Sequence, residues 1–170
     1  NKTGFTVMSV FIPRRGASAS NDIIFAIGTN ASTSRFAAEI SRTASKSISV
    51  AVRALDGDAG FATASAGDVV VQNTAFVGSY RMDYTGASRQ IWVNGTSAVG
   101  PSSTATGTTA GNTSDTDSTR VRLGASAAVT AASFAQVDLL ELIAFNRALT
   151  PTERLHMERY LGRKFAIAVA

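Results

Sequence analysis

The sequence predicts an all-β fold, a two-sheet antiparallel sandwich that ends in one short helix. Short apolar or alternating segments recur along the chain, and turn residues separate them at intervals near ten residues, which is typical of a sandwich. No helical pattern occurs before Pro151. At 170 residues and 45% hydrophobic residues, the chain can bury one core, so we expect a single domain over residues 1–170. Because Asn1 is not preceded by Met, we expect a processed chain or part of a longer one.

The predicted strands differ in pattern. Residues 5–12 alternate, with Phe5, Val7 and Ser9 on one face and Thr6, Met8, Val10 and Ile12 on the other. The full set comprises residues 5–12, 23–27, 36–42, 48–55, 69–71, 76–84, 89–94, 119–123 and 134–145. Two packed antiparallel sheets are the natural arrangement of so many short strands.

The helix has both a start and a stop in the sequence. Thr150 is placed to cap its first turn, Pro151 occupies the first helical position, and Glu153 follows three residues after the cap. Gly162 is placed to end the helix in a left-handed conformation. Apolar residues here are expected to be buried, namely Phe145, Leu149, Leu155 and Leu161.

Two segments carry a family resemblance. The first is Glu141-Leu-Ile-Ala-Phe-Asn-Arg-Ala-Leu-Thr150 with the helix that follows, and the second is Arg89-Gln-Ile-Trp-Val-Asn-Gly95. Both resemble concanavalin A-like jelly rolls of the laminin-G type, in the form found in bacterial and phage surface proteins. The resemblance implies a jelly-roll sandwich. It leaves the function open, because lectins, adhesion modules, virion proteins and glycosidases share this fold.

Catalytic residues are not apparent in the sequence. Glycosidases place paired carboxylates at alternate positions of a strand, and no such set occurs. Glu39 is the sole acid of its strand, and Asp138 and Glu141 are three residues apart, which predicts opposite faces. His156 is the only histidine and no G-x-S-x-G motif accompanies it. The sequence therefore predicts a protein that is not an enzyme.

Charge and hydropathy argue against nucleic acid and the membrane interior as partners. The chain has 13 Arg and 3 Lys against 12 acids, for a net charge of +4, and these cations are scattered. A nucleic-acid-binding protein more often has a basic stripe, so no nucleic acid is expected. No stretch of 18 apolar residues occurs, so no membrane insertion is expected. The cations are interpreted as surface charge or contacts with neighbouring subunits, and a homo-oligomer is compatible with them.

Two acidic pairs are the candidates for metal binding. Asp56 and Asp58 imitate the start of a calcium loop, but Phe61 stands where an EF-hand has Gly. Asp115 and Asp117 form the second pair. Turn formation is the favoured interpretation of these residues, so no metal and no cofactor are predicted, with Ca²⁺ at Asp56 and Asp58 as the alternative.

Ligand-binding candidates are aromatic and loop residues. Trp92 alternates with Ile91 and Val93, and Tyr80 and Tyr84 share a parity on the neighbouring strand, so the three could form an aromatic patch for a sugar. The favoured interpretation is that the terminal helix or a loop covers Trp92 as part of a second small core.

Residues 100–118 contain no large apolar side chain and form the longest predicted loop. They are either a solvated connection or a recognition loop, with Asn112, Asp115 and Asp117 as the candidate binding residues.

Two functions remain. One is a surface display or recognition domain of a phage virion (decoration, head fibre or tail fibre) or of a bacterial surface, contacting host glycans or neighbouring virion proteins. The other is an extracellular, lectin-like carbohydrate-binding module. The first is favoured because the form of the C-terminal helix and the absence of cysteine suit bacterial and phage surface proteins. Location at a virion surface or outside the cell follows from either.

Overall fold

The computed structural model describes residues 3–15, 21–28, 34–41, 48–52, 62–66, 71–86, 88–102, 120–126 and 133–170. Over these residues the chain forms ten strands and one helix. Their bounds are β1 Gly4–Pro13, β2 Asn21–Gly28, β3 Ser34–Ser41, β4 Ile48–Val52, β5 Ala62–Ala66, β6 Phe76–Asp83, β7 Ser88–Val93, β8 Thr96–Ser102, β9 Arg120–Leu123, β10 Val137–Phe145 and α1 Pro151–Phe165.

The strands make two five-stranded antiparallel sheets. The first has the order β10-β1-β6-β7-β8 and is called the helix-side sheet, because α1 packs on its outer face. The second has the order β5-β4-β3-β2-β9. The predicted two-sheet jelly-roll sandwich with one C-terminal helix is therefore confirmed.

Alternation along the strands of the helix-side sheet divides its apolar residues between two cores. On β1, Val7 and Phe11 face the second sheet, whereas Met8 and Val10 face the helix, as the sequence pattern predicts. The core between the sheets contains Val7, Phe11, Ile24, Phe25, Ala38, Ile40, Ile48, Phe76, Tyr80, Met82, Tyr84 and Ile91. The core under the helix contains Met8, Val10, Val77, Leu149 and Leu161.

Several predicted strand bounds were wrong. Strand β5 was missed because its residues, Ala-Thr-Ala-Ser-Ala, give no large apolar pattern. Strand β8 was also missed and includes the first residues of the predicted loop. It tolerates Pro101 because it is an edge strand, where a missing N–H breaks no second ladder. Val71 lies outside any strand, and Phe134 makes only an isolated bridge to Ile23.

The helix starts as predicted and ends later. It passes through Gly162 to Phe165, and Ala166 takes the left-handed cap at φ 56°. Leu149 and Leu161 are buried as expected, but Phe145 and Leu155 are only half-buried. Gly162 is explained by packing instead, since a Cβ there would lie 2.6 Å from Val169 Cγ2 of the returning C-terminal segment.

Candidate ligand-binding surface around helix α1

The N-terminus of α1 is fixed by a local polar network. Thr150 and Glu153 form a capping box, in which Glu153 N donates to Thr150 Oγ1 at 3.3 Å and Thr150 N donates to Glu153 Oε2 at 2.9 Å. Both terminal nitrogens of Arg147 donate to the Glu153 carboxylate, at 2.8 and 2.7 Å. The Arg147 hydrogen bonds, with those from Thr150, lower the pKa of Glu153 to about 2.

The corner before the helix is tied to strand β1. Thr6 Oγ1 donates to Arg147 O at 2.9 Å and accepts from Leu149 N at 3.0 Å. Thr6 is fully buried, and its hydroxyl satisfies one backbone acceptor and one backbone donor of this corner. The helix therefore begins at a fixed place over the helix-side sheet.

Trp92 lies under helix α1, which agrees with the interpretation that it is a covered residue and not part of an exposed aromatic patch. Its side chain is on the opposite face of β7 from Ile91, and only 7% of the residue is exposed. The Arg154 guanidinium carbon stands 4.3 Å from the ring centroid, and Arg154 also pairs with Glu158, which is fully buried. A sugar could not stack on this ring without displacing Arg154.

The predicted aromatic patch is not formed. Tyr80 and Tyr84 both belong to the core between the sheets, with 0% and 2% exposure. Tyr80 is paired with Ile91 across β6 and β7, so it shares the inward face of Ile91 and not the face of Trp92. Neither tyrosine can therefore join Trp92 in a surface patch.

A small cleft borders Trp92 at the N-terminal half of α1. It measures about 100 Å³ and is lined by Arg81, Gln90, Trp92, Leu149, Pro151 and Arg154. Arg81 is held in place there, since its Nε donates to Leu149 O and its Nη1 to Gln90 Oε1, each at 3.0 Å. Asp83 lies 3.4 Å from the same guanidinium. With an acid paired to each arginine, the cleft carries little net charge.

A second and larger depression lies at the C-terminal half of α1. It measures about 180 Å³ and is lined by Arg159, Gly162, Arg163, Ile167 and Val169. The segment after the helix forms one wall, because Ile167 and Val169 pack onto the core under the helix and Ala170 N donates to Asn94 O at 3.0 Å. Gly95 permits this approach, since its φ is +84° and a Cβ would lie 2.7 Å from Ala170 O. This depression was not predicted, although the i, i+4 spacing of Arg159 and Arg163 was visible in the sequence.

The acids of β10 are placed differently from the sequence prediction. Glu141 lies opposite Val10 and Asp138 opposite Ile12, with a bulge between them, so both are on the helix-side face. The extra residue of the bulge shifts the alternation that predicted opposite faces. Each carboxylate is occupied, Glu141 by Lys164 Nζ at 2.8 Å and Asp138 by Arg14.

Their electrostatics do not suit acid catalysis. The hydrogen bond from Arg14 lowers the pKa of Asp138, whereas a general acid needs a raised pKa. In turn, Glu141 raises the pKa of Lys164.

The remaining predicted residues divide into two groups. Asn112, Asp115, Asp117, Asp56 and Asp58, like most of the predicted loop, lie outside the described residues. Within the described ranges, no cluster of three or more His, Asp or Glu side chains could hold a metal ion, and no helix is long and apolar enough to cross a membrane. His156 is exposed on α1.

Comparison with known proteins shows the fold. No protein-family model matches the chain, and a search of the curated proteins finds no match. Among solved structures, the chain is similar to a SAP-like pentraxin of Limulus polyphemus, with 14% identity, a TM-score of 0.64, and coverage of 89% of this chain and 68% of the pentraxin. It is similar to the NanB sialidase of Streptococcus pneumoniae, with 17% identity and a TM-score of 0.70, over 91% of this chain and 24% of the sialidase.

A third similar structure is the CBM40 domain of the Ruminococcus gnavus IT-sialidase, bound to α2,3-sialyllactose. It has 13% identity and a TM-score of 0.64, over 89% of this chain and 80% of the domain. At such identities the likeness shows the fold and not the activity. The chain is a jelly-roll β-sandwich of the kind that pentraxins and sialidase CBM40 domains share, as its resemblance to the concanavalin A-like and laminin-G-like proteins implies.

Proposed function

We propose that this chain is a non-catalytic, lectin-like domain that binds glycans. The observation that carries the proposal is the superposition of 89% of the chain on a domain that holds α2,3-sialyllactose. The match covers most of both chains, and the matched chain is the CBM40 domain of the sialidase, which supports a binding role.

The surface around α1 is the proposed place of contact. The cleft beside Trp92, at about 100 Å³, is about three water volumes and is too small to enclose a sugar ring. The depression at Arg159 and Arg163, at about 180 Å³, is larger but still below the range of enclosed ligand pockets. A glycan would therefore lie across this surface with only one group inserted, which suits weak binding.

The absence of catalysis is supported by the two acids of β10. A retaining or inverting glycosidase needs one carboxyl group that can donate a proton. Asp138 and Glu141 each serve a cation instead, and the pKa of Asp138 is lowered. We expect no hydrolysis of β-glucans, galactans or sialosides.

Display on a virion or a bacterial surface is the proposed setting. Its support is the sequence resemblance of the segment Glu153-Arg-Leu-His-Met-Glu-Arg-Tyr-Leu-Gly-Arg-Lys-Phe165 to such proteins. Capsid or tail genes beside this reading frame, and labelling of purified particles by an antibody to the domain, would support it. Secretion by an organism that carries no such genes would favour the soluble carbohydrate-binding module.

A glycan array tests the binding proposal. The purified domain is applied to neutral, sialylated and sulfated glycans, and each hit is measured by isothermal titration calorimetry. We expect at least one class to bind with a micromolar to millimolar Kd. Failure to bind any class, by a domain whose circular dichroism shows the folded sandwich, would refute the proposal.

A further inference from the structure

The outward face of α1 has an excess of positive charge. The helix and its flanks contain Arg159, Arg163 and Lys164 at exposed positions. The helix has two acids, and both are used elsewhere: Glu153 pairs with Arg147, and Glu158 is buried against Arg154. No acid of the helix is therefore left to balance its exposed arginines.

From this we infer that the depression between α1 and the C-terminal segment binds the acidic group, a carboxylate or a sulfate ester, of a saccharide. Arg159 and Arg163 are one helical turn apart and both line the depression. Among the described residues, neither guanidinium has a hydrogen bond or an ion pair, whereas Arg14, Arg147, Arg154 and Lys164 each have an acidic partner. The inference rests on the proposed glycan binding and adds the class of glycan.

The shape of the depression suits an amphipathic ligand. Arginine presents planar donor edges that match a carboxylate or a sulfate, and two arginines line the depression. Ile167 and Val169 supply an apolar wall, against which the C–H face of a sugar ring can pack. The volume of about 180 Å³ corresponds to about six waters, enough for the acidic group and the adjoining edge of the ring.

Helix electrostatics offer a competing reason for these arginines. Cations in the last turn stabilise a helix by interacting with its dipole. Two like charges at i and i+4 have the opposite effect, because they repel each other. Both effects depend on charge alone, so lysine would serve as well as arginine. Recognition of a planar acidic group depends on the fork of the guanidinium, which lysine lacks. The substitution Arg→Lys therefore separates the two explanations.

The experiment uses the whole domain and three probes: α2,3-sialyllactose, lactose 3′-sulfate and neutral lactose. Titration calorimetry at about 0.02 M and about 0.15 M salt measures the Kd of each probe. We expect the acidic probes to bind at least about tenfold more tightly than lactose, a difference of about 1.4 kcal/mol, and to bind more weakly at the higher salt. Whichever acidic probe binds more tightly identifies the group as carboxylate or sulfate.

Three double variants locate the site. Arg159→Gln/Arg163→Gln should weaken acidic binding at least about tenfold, and Arg159→Lys/Arg163→Lys should weaken it by a smaller factor while it preserves the thermal midpoint. Arg15→Gln/Arg120→Gln removes the same charge outside the depression and should leave the Kd within about twofold.

The outcomes separate the inference from the proposed function. If neutral glycans bind as tightly as acidic ones, or if the glutamine variant binds acidic glycans like wild type, the inference is refuted and glycan binding stands. If no probe and no arrayed glycan binds to folded protein, both are refuted.

Discussion

Removal of Glu158 should destabilise the domain strongly, although the residue lies in a surface helix. Glu158 is fully buried, and Arg154, its partner, is 8% exposed between the helix and Trp92. Deletion of one member of a buried ion pair leaves the other charge without compensation, which costs about 3–5 kcal/mol. Because a domain of this kind has only about 5–15 kcal/mol of unfolding free energy, Glu158→Leu should lose a large share of it.

The same reasoning predicts that the second substitution rescues the first. Arg154→Met/Glu158→Leu replaces the pair by apolar side chains of similar size, so its desolvation cost is removed with its attraction. We expect the double variant to lie within about 1 kcal/mol of wild type, or to be more stable. Each single variant should be the less stable protein, which gives a large coupling energy in the double-mutant cycle.

Urea denaturation measures all four proteins. Trp92 is the only tryptophan, and the Arg154 side chain covers it, so its fluorescence reports on this region directly. With a slope of about 2 kcal/mol per molar, a loss of about 4 kcal/mol lowers the urea midpoint by about 2 M. If Glu158→Leu lies within about 1 kcal/mol of wild type, the pair is solvated and the reasoning is wrong.

Five further substitutions test other parts of the molecule. Gly162→Ala should cost about 1–3 kcal/mol in urea denaturation because the new Cβ meets the C-terminal segment, whereas Gly86→Ala, with nothing within 4 Å, should be neutral within about 0.5 kcal/mol. Leu161→Ala should cost about 2–5 kcal/mol, since the residue is fully buried, and a smaller loss would mean that the helix packs loosely. The pKa of Glu153 is lowered to about 2, so the ionised carboxylate stabilises the fold above its unfolded pKa, and this stabilisation is lost as pH falls toward 2. Glu153→Gln should therefore make the thermal midpoint fall less steeply with decreasing pH. An equally steep fall in the variant would contradict the lowered pKa of Glu153. Burial lowers the pKa of Arg89, and its Nε and Nη1 have no hydrogen-bond partner in the described part of the chain. Arg89→Met should therefore raise the unfolding free energy by about 1 kcal/mol or more. A lower unfolding free energy would show that the buried guanidinium has compensating interactions.

Features determined by local sequence were predictable. The start of α1 depends on Thr150, Pro151 and Glu153, which lie within four residues of each other, so the capping box could be identified before any tertiary contact was known. Strands with large alternating side chains, such as β1, were equally clear. Strand β5 gave no such pattern, because only its place in the sheet and not its small side chains identifies it.

Features that depend on distant contacts were not predictable. The sequence predicts that the helix ends at Gly162, yet the lack of a side chain there makes room for the returning segment at Val169. Strict alternation predicts opposite faces for Asp138 and Glu141, but a bulge, which alternation cannot reveal, places both on one face. The sequence correctly predicts that Trp92 and Ile91 lie on opposite faces of β7. The predicted patch of Trp92 with Tyr80 is wrong, because the register between β6 and β7 pairs Tyr80 with Ile91.

The distribution of acids explains why free charge gathers at one place on the described surface. Asp138, Glu141, Glu153 and Glu158 each have a cationic partner, and the pair of Glu141 with Lys164 joins β10 of the sheet to α1. Arg159 and Arg163 follow the last of these acids along the helix and meet no further acid there. Two positive charges without an acidic partner among the described residues therefore lie at the depression that both arginines line. Because the scaffold beneath is held by its own pairs, these two side chains can change in a related protein at little cost to the fold, which is what a surface that sets ligand specificity requires.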